Sequence, residues 1–303
     1  MIDDVLLVMD ITPPKEVING TKQPFIWKDL IFAPSFRKDC VIKYTATWKN
    51  LKLEIWYDQL KVNNSWHKFY HGNNYSDYTF EDIKQTIELF VEKFGLNFLK
   101  ASIKKLTIGC NLSINSNKYY PRCISLGTTF FQEMRGGNTH VVYGQYAKQT
   151  NIKFKIYDKQ YEVKIHNREK IVPTLRVEQE MNMNYIRKRK DTSIRIYTPS
   201  DLLQRDWLVD VIFELTLQTD RINFSGDLPI EKSDSLIESE IKILMGNLQY
   251  RKIIKTKASP KTYQKRVKIY DKMLENYEVK KASDRLSRLV GNKMNLLAGP
   301  NMG

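Results

Sequence analysis

Lys153-Phe154-Lys155-Ile156-Tyr157-Asp158-Lys159-Gln160-Tyr161-Glu162, followed after a spacer by Leu175-Arg176-Val177-Glu178, is the stretch from which the architecture of this chain follows. Phe154 and Ile156, then Leu175 and Val177, alternate with polar residues, which predicts two neighbouring strands. On that reading Tyr157, Lys159, Arg176 and Glu178 reach one sheet face or its rim. A tyrosine, a lysine and carboxylates together have the makings of a DNA-nicking centre. The same spacing equally describes half-buried packing beside a solvated turn.

Outward from that stretch, the pattern up to about residue 180 is mostly strand. Alternating segments run from Val5 to Met9, Val41 to Trp48, Leu51 to Trp56, Leu106 to Ile114 and His140 to Tyr146, besides the two above. Lys49-Asn50 offers a tight turn between Val41–Trp48 and Leu51–Trp56, hence an antiparallel hairpin. One helix interrupts: Thr79 and Asp82 form a capping box, Ile83, Ile87, Phe90, Val91 and Phe94 form its apolar stripe, and Gly95 closes it. After Arg187-Lys188-Arg189-Lys190 helices take over. The first is read as starting at Thr198-Pro199-Ser200-Asp201 and running through Trp207; another follows Ser233, with Leu236, Ile237, Ile241 and Leu244 on one face. A third, from Ser259-Pro260, sets Tyr263, Val267, Tyr270 and Leu274 against Lys261, Lys265, Lys268 and Lys272. The class is therefore α+β, divided as residues 1–190 and a helical, basic 191–303.

The 303 residues are 42% hydrophobic, enough for a core, and 49 Lys and Arg against 34 Asp and Glu give a net charge of +15. That surplus points to a polyanion, nucleic acid ahead of a membrane surface. No run approaches the ~20 apolar residues of a membrane span, and the acidic start is unlike a signal peptide, so a cytoplasmic protein is expected. Cys40, Cys110 and Cys123 are odd in number and lie in apolar segments, which reads as buried thiols. Gly127-Thr128-Thr129 and Gly136-Gly137 lack the Lys-Ser/Thr of a phosphate loop, so no ATPase is expected. The stretch from Asn63 to Tyr78 reads as a loop whose Phe69, Tyr70 and Tyr75 stack on bases while Lys68 meets phosphates, or as a merely exposed loop.

Taken in order, Tyr-x-Lys-x-x-Glu at 157–162, a spacer and Leu-Arg-x-Glu at 175–178 resemble the initiator family of filamentous phages, the gene II type, and its plasmid relatives. Met1-Ile2-Asp3-Asp4-Val5-Leu6-Leu7 resembles that family's first strand. Leu53-Glu54-Ile55 followed by Ser65-Trp66-His67-Lys68 and Gly72-Asn73-Asn74 resembles its acidic strand and following loop. The spelling is most similar to initiators of single-stranded DNA phages and plasmids of Bacteroidetes-type bacteria, over residues 1–185.

The resemblance implies a rolling-circle replication endonuclease related to the HUH fold, acting in the cytoplasm of a bacterial host. It makes Tyr157 the nucleophile, Lys159 its electrostatic support, and Glu54, Glu178 and His67 the holders of Mg²⁺ or Mn²⁺. Lys68, Asn73, Asn74 and Arg176 would contact phage or plasmid origin DNA, single-stranded at the nick. Lys265, Lys268 and Lys272 would bind duplex DNA, or that region a host helicase or polymerase. Departures are visible too. The family fold's His-hydrophobic-His pair is absent, His67 and His71 converge only on a helix where a loop is expected, and Leu106–Leu112 lacks the acid expected near Thr107 or Cys110. Asn111 completes the metal shell, the site is weak, or the strand is misaligned. Tyr161 competes with Tyr157 for the nucleophile's role. A non-catalytic nucleic-acid binder of degenerate initiator fold is the second reading; a mobilisation relaxase is the third, disfavoured by the chain's four histidines.

Overall fold

A computed structural model of the chain describes residues 1–136, 140–167, 169–188, 196–224, 235–245, 248–275 and 282–299. The expected boundary at 190/191, Gly137, Ser233 and the tail beyond Gly299 lie outside the described residues. Among the described residues fourteen strands run in chain order: β1 (Ile2–Asp10), β2 (Phe25–Trp27), β3 (Leu30–Arg37), β4 (Cys40–Trp48), β5 (Leu51–Trp56), β6 (Gln59–Ser65), β7 (Ser102–Leu112), β8 (Cys123–Leu126), β9 (Thr129–Phe130), β10 (Gln132–Arg135), β11 (Val142–Lys148), β12 (Ile152–Asp158), β13 (Leu175–Asn182) and β14 (Ile222–Phe224). The α+β class with a large antiparallel sheet and C-terminal helices is the one expected. The chain divides into two compact units, residues 1–110, 178–213 and 294–303 in one and 111–177 and 214–293 in the other, so each draws on both sides of residue 190.

In the first unit the strand order is β13-β7-β1-β6-β5-β4-β3-β2. The β4–β5 hairpin is present, turning at Lys49, whose φ of 53° is the left-handed conformation such a turn demands. Leu51, Leu53, Ile55, Leu60 and Val62 are fully buried on one face. The helix Phe80–Phe94 has the expected capping box: Asp82 N donates to Thr79 Oγ1 (3.2 Å) and Thr79 N to Asp82 Oδ2 (2.7 Å). Its Phe90 stacks on Phe69 (5.1 Å) and Phe98 (4.8 Å) and meets Trp48 and Trp66, so truncating it would remove about 3–5 kcal/mol of packing.

Several expectations are corrected. Residues 66–71 are a helix, not a loop: Lys68 N donates to Ser65 Oγ (3.0 Å) at its start and left-handed Gly72 ends it. Phe69, 1% exposed, is core and unavailable to a base. Thr198–Asp201 does not open the long helix. The Asp201 carboxylate instead accepts from the amides of Tyr197 and Thr198 (both 2.8 Å), closing a turn, and the helix runs Asp206–Asp220. Cys40 is exposed, whereas Cys110 and Cys123 are buried as expected.

In the second unit β10-β11-β12 are consecutive antiparallel neighbours, with β14-β8-β9 a separate sheet. Helices Leu236–Met245, Leu248–Lys257 and Pro260–Glu275 follow. The third is amphipathic as read: Tyr263, Val267 and Tyr270 are buried and Lys261, Lys265, Lys268 and Lys272 exposed. The first brings Ile237, Ile241 and Leu244 to one side as read, but that side is partly bare, with Leu236 (86%) and Ile237 (68%) exposed. Arg251, wholly buried, ties helices to sheet: Nε donates to the Met245 carbonyl ending a helix, Nη1 to Ser125 Oγ on β8 (2.7 Å), and the guanidinium faces the Tyr270 ring at 4.8 Å.

Candidate active site around Tyr157

Tyr157 is the penultimate residue of β12, paired with Gly144 of β11. A Cβ at position 144 would stand 2.2 Å from Tyr157 Cβ, so only glycine lets the two strands pair with a tyrosine there. Tyr143 meets the Tyr157 ring edge-on at 6.2 Å and stacks on Tyr161 at 5.6 Å. These neighbours leave Tyr157 3% exposed. The strand stops at Asp158 because its carboxylate accepts from Tyr161 N (2.9 Å), capping the helix Lys159–Asn167.

Lys159 therefore opens a helix rather than continuing a sheet face, a correction to the expected shared strand. Its amide donates to the Thr174 carbonyl (2.9 Å) and its side chain, 1% exposed, carries Nζ to 5.9 Å from the Tyr157 ring centroid. The ammonium pairs with Glu162, one turn on in the same helix, whose side chain is 26% exposed. Tyr157, Lys159 and Glu162 of the Tyr-x-Lys-x-x-Glu pattern are thus gathered at one strand-to-helix junction. Arg176 is buried, not on a surface, and donates to Asn111 Oδ1 (2.9 Å), which occupies that oxygen. Asn111 was the residue offered as completing a metal shell.

The residues expected to hold the ion do not assemble. Glu54 (β5) and Glu178 (β13) both belong to the first unit, but β6, β1 and β7 lie between their strands, a separation of about 19 Å at the usual strand spacing. Glu54 is 5% exposed and surrounded by ammonium groups: Lys43 (2.8 Å) and Lys52 (3.0 Å) on Oε1, Lys61 (3.4 Å) on Oε2. Burial pushes its carboxyl pKa up, but hydrogen bonds from Lys43, Lys52 and Trp56 and the charge of Lys61 outweigh this and hold it at about 2. Among the described residues no group of three His, Cys, Asp or Glu side chains is placed to hold a metal ion. The residues present do not fit the expected ion.

His67 lies on the short helix with its ring flat on Tyr78 (5.0 Å, 12°) and Nε2 3.2 Å from Ser76 Oγ. The helix brings His71 within 5.6 Å of it, and His71 Nε2 reaches Asp82 at 3.4 Å. Asn73 Oδ1 accepts from the amides of Tyr75 (3.2 Å) and Ser76 (2.9 Å), shaping the turn after the helix, and Asn74 is half-buried. Lys68 is exposed. Gly144 and Tyr143 were missed by sequence reasoning; a glycine inside an otherwise alternating strand was the available signal.

No protein-family model and no curated protein sequence matches this chain. A distant structural likeness exists. A rolling circle replication initiator protein from Geobacillus stearothermophilus aligns at a TM-score of 0.39 and 11% identity, over 77% of this chain and 89% of that one. So loose a likeness carries no argument about site or activity. No helix among the described residues is long and apolar enough to cross a membrane.

Proposed function

We propose that this chain is a rolling-circle replication initiator that nicks phage or plasmid origin DNA through Tyr157. The observation that carries the reading is the junction where a buried lysine ammonium lies 5.9 Å from the ring of a tyrosine ending a strand, in a chain of net charge +15. The phenol loses its proton, its oxygen bonds to the scissile phosphorus, and the bond from phosphorus to the 3′ oxygen breaks; that oxygen takes up a proton. A 5′-phosphotyrosine and a 3′-hydroxyl primer result. A phenol, with a pKa of about 10, is a better leaving group than a sugar hydroxyl, so the link stays reactive for resealing. Lys159 favours the phenolate and the charge developing on phosphorus. Mg²⁺ or Mn²⁺ enters the proposal as a requirement to be measured, with no ligand set assigned.

The covering of Tyr157 favours one alternative, a binder of nucleic acid that never cuts. Incubating the protein with labelled supercoiled origin DNA and Mn²⁺ separates the two. A covalent adduct lost in Tyr157→Phe and kept in Tyr161→Phe supports the nickase. Tight binding with no adduct under any divalent ion supports the binder.

A further inference from the structure

The face of the first unit's sheet opposite its core carries a second charged constellation. On β5 Leu51, Leu53 and Ile55 are buried in the core while Lys52, Glu54 and Trp56 point the other way. Register sets Glu54 between Thr45 of β4 and Lys61 of β6, with Lys52 two residues back on its own strand. Lys43, Lys52 and Lys61 all converge on the one carboxylate, leaving a surplus of two positive charges. Their side chains remain 20%, 57% and 38% exposed. Trp56 is 39% exposed, lies 5.3 Å below the Lys43 ammonium, and donates to Glu54 Oε2 (3.4 Å); next to it at the turn, Tyr57 is 83% exposed.

A divalent cation would add charge where positive charge is already in excess, so this carboxylate suits another task. We infer that this open sheet face is a binding platform for a single DNA strand, with Lys43, Lys52 and Lys61 contacting phosphates and Trp56 stacking on a base. Glu54 is its positioning residue. Holding three flexible ammonium groups in a fixed array lowers the entropy lost when phosphates arrive, and phosphate oxygens then share donors the carboxylate alone cannot saturate. A partly bare indole beside those cations is what an unpaired base requires and a stacked duplex cannot use. The inference rests on the nucleic-acid reading above and assigns it a surface other than the Tyr157 junction.

The test is fluorescence anisotropy of full-length protein with a labelled single-stranded oligonucleotide, in EDTA, over a series of salt concentrations. Lys52→Ala with Lys61→Ala should flatten the logarithmic salt slope by about 1.4, two phosphate contacts at about 0.7 each. Trp56→Ala should weaken binding about tenfold with the slope unchanged. Glu54→Gln, which releases the three ammonium groups from their common anchor while keeping their number, should weaken metal-free binding severalfold with the salt slope unchanged. A wild-type slope in the double lysine variant, with thermal melts showing it folded, overturns the platform while leaving the nickase proposal standing. Wild-type affinity in folded Glu54→Gln overturns the positioning role of the carboxylate. Failure of the wild-type chain to bind any single strand would remove the nucleic-acid reading itself.

Discussion

The surroundings of Glu54 and of Lys159 both set a nearly buried charge against opposite charge, but in different company. Glu54 meets Lys43, Lys52 and Lys61; the Lys159 ammonium meets Glu162 and lies beside an aromatic ring. The first arrangement is over-compensated: three lysines and the Trp56 indole N–H meet the carboxylate, so its proton affinity is low. The second sets the ammonium beside a tyrosine ring, and its partner Glu162 is partially exposed and can turn toward water. Surplus charge suits holding a polyanion. An ammonium beside a tyrosine suits chemistry.

The sharpest way to break the contrast is Tyr157→Phe, which should abolish the covalent DNA adduct altogether on a denaturing gel while leaving metal-free oligonucleotide binding at wild-type strength. Lys159→Met comes next. It keeps the stem's volume and removes the charge, so adduct formation should slow by about a hundredfold at constant oligonucleotide affinity if the ammonium supports transfer; an unchanged rate would reduce Lys159 to packing. Gly144→Ala forces the β11–β12 pair apart and should lower unfolding free energy by about 2–3 kcal/mol in denaturant titration, with adduct yield falling alongside.

Glu54→Gln has a smaller effect with a distinctive pH signature. The folded carboxyl pKa of about 2 lies below its ordinary value of 4.5, so its stabilising effect is complete above 4.5 and fades as pH falls through 2. The variant should be about 2 kcal/mol less stable at neutral pH, and this deficit should shrink on acidification from 4.5 toward 2. A deficit independent of pH would show that the lysines act on Glu54 by packing alone. Least of all, replacing Lys265, Lys268 and Lys272 by alanine should flatten the salt dependence of duplex binding and leave melting temperature within a degree or so.

What the sequence disclosed and withheld follows from how local each signal is. The hairpin at Lys49-Asn50 and the Thr79/Asp82 helix were legible because turn chemistry and capping act within four residues. The helix at Trp66–His71 carried the same kind of marks, Ser65 ahead and Gly72 behind, but its aromatic and histidine content disguised it as a loop. β6 was equally marked by Leu60 and Val62 alternating with Lys61 and Asn63. Tyr157 and Lys159 stood out as a pair, though not the change from strand to helix between them, which Asp158 imposes. Glu54 was the hardest. Nothing near it in sequence except Lys52 announces its lysines, since Lys43 and Lys61 arrive from neighbouring strands. A lone acid on a strand reads as a ligand only until those strands are paired.

Gly144 gives this family of shapes a sorting rule. A β-carbon at 144 would meet Tyr157 Cβ and Cα and the Ile156 carbonyl oxygen, atoms that any residue but glycine presents at 157, so this strand pairing demands glycine at 144 whichever side chain faces it. Chains that keep the tyrosine and gain a β-carbon at the facing position would have to shift the ring away from Lys159. A glycine in the facing position thereby separates sequences able to build this junction from those that merely spell its motif.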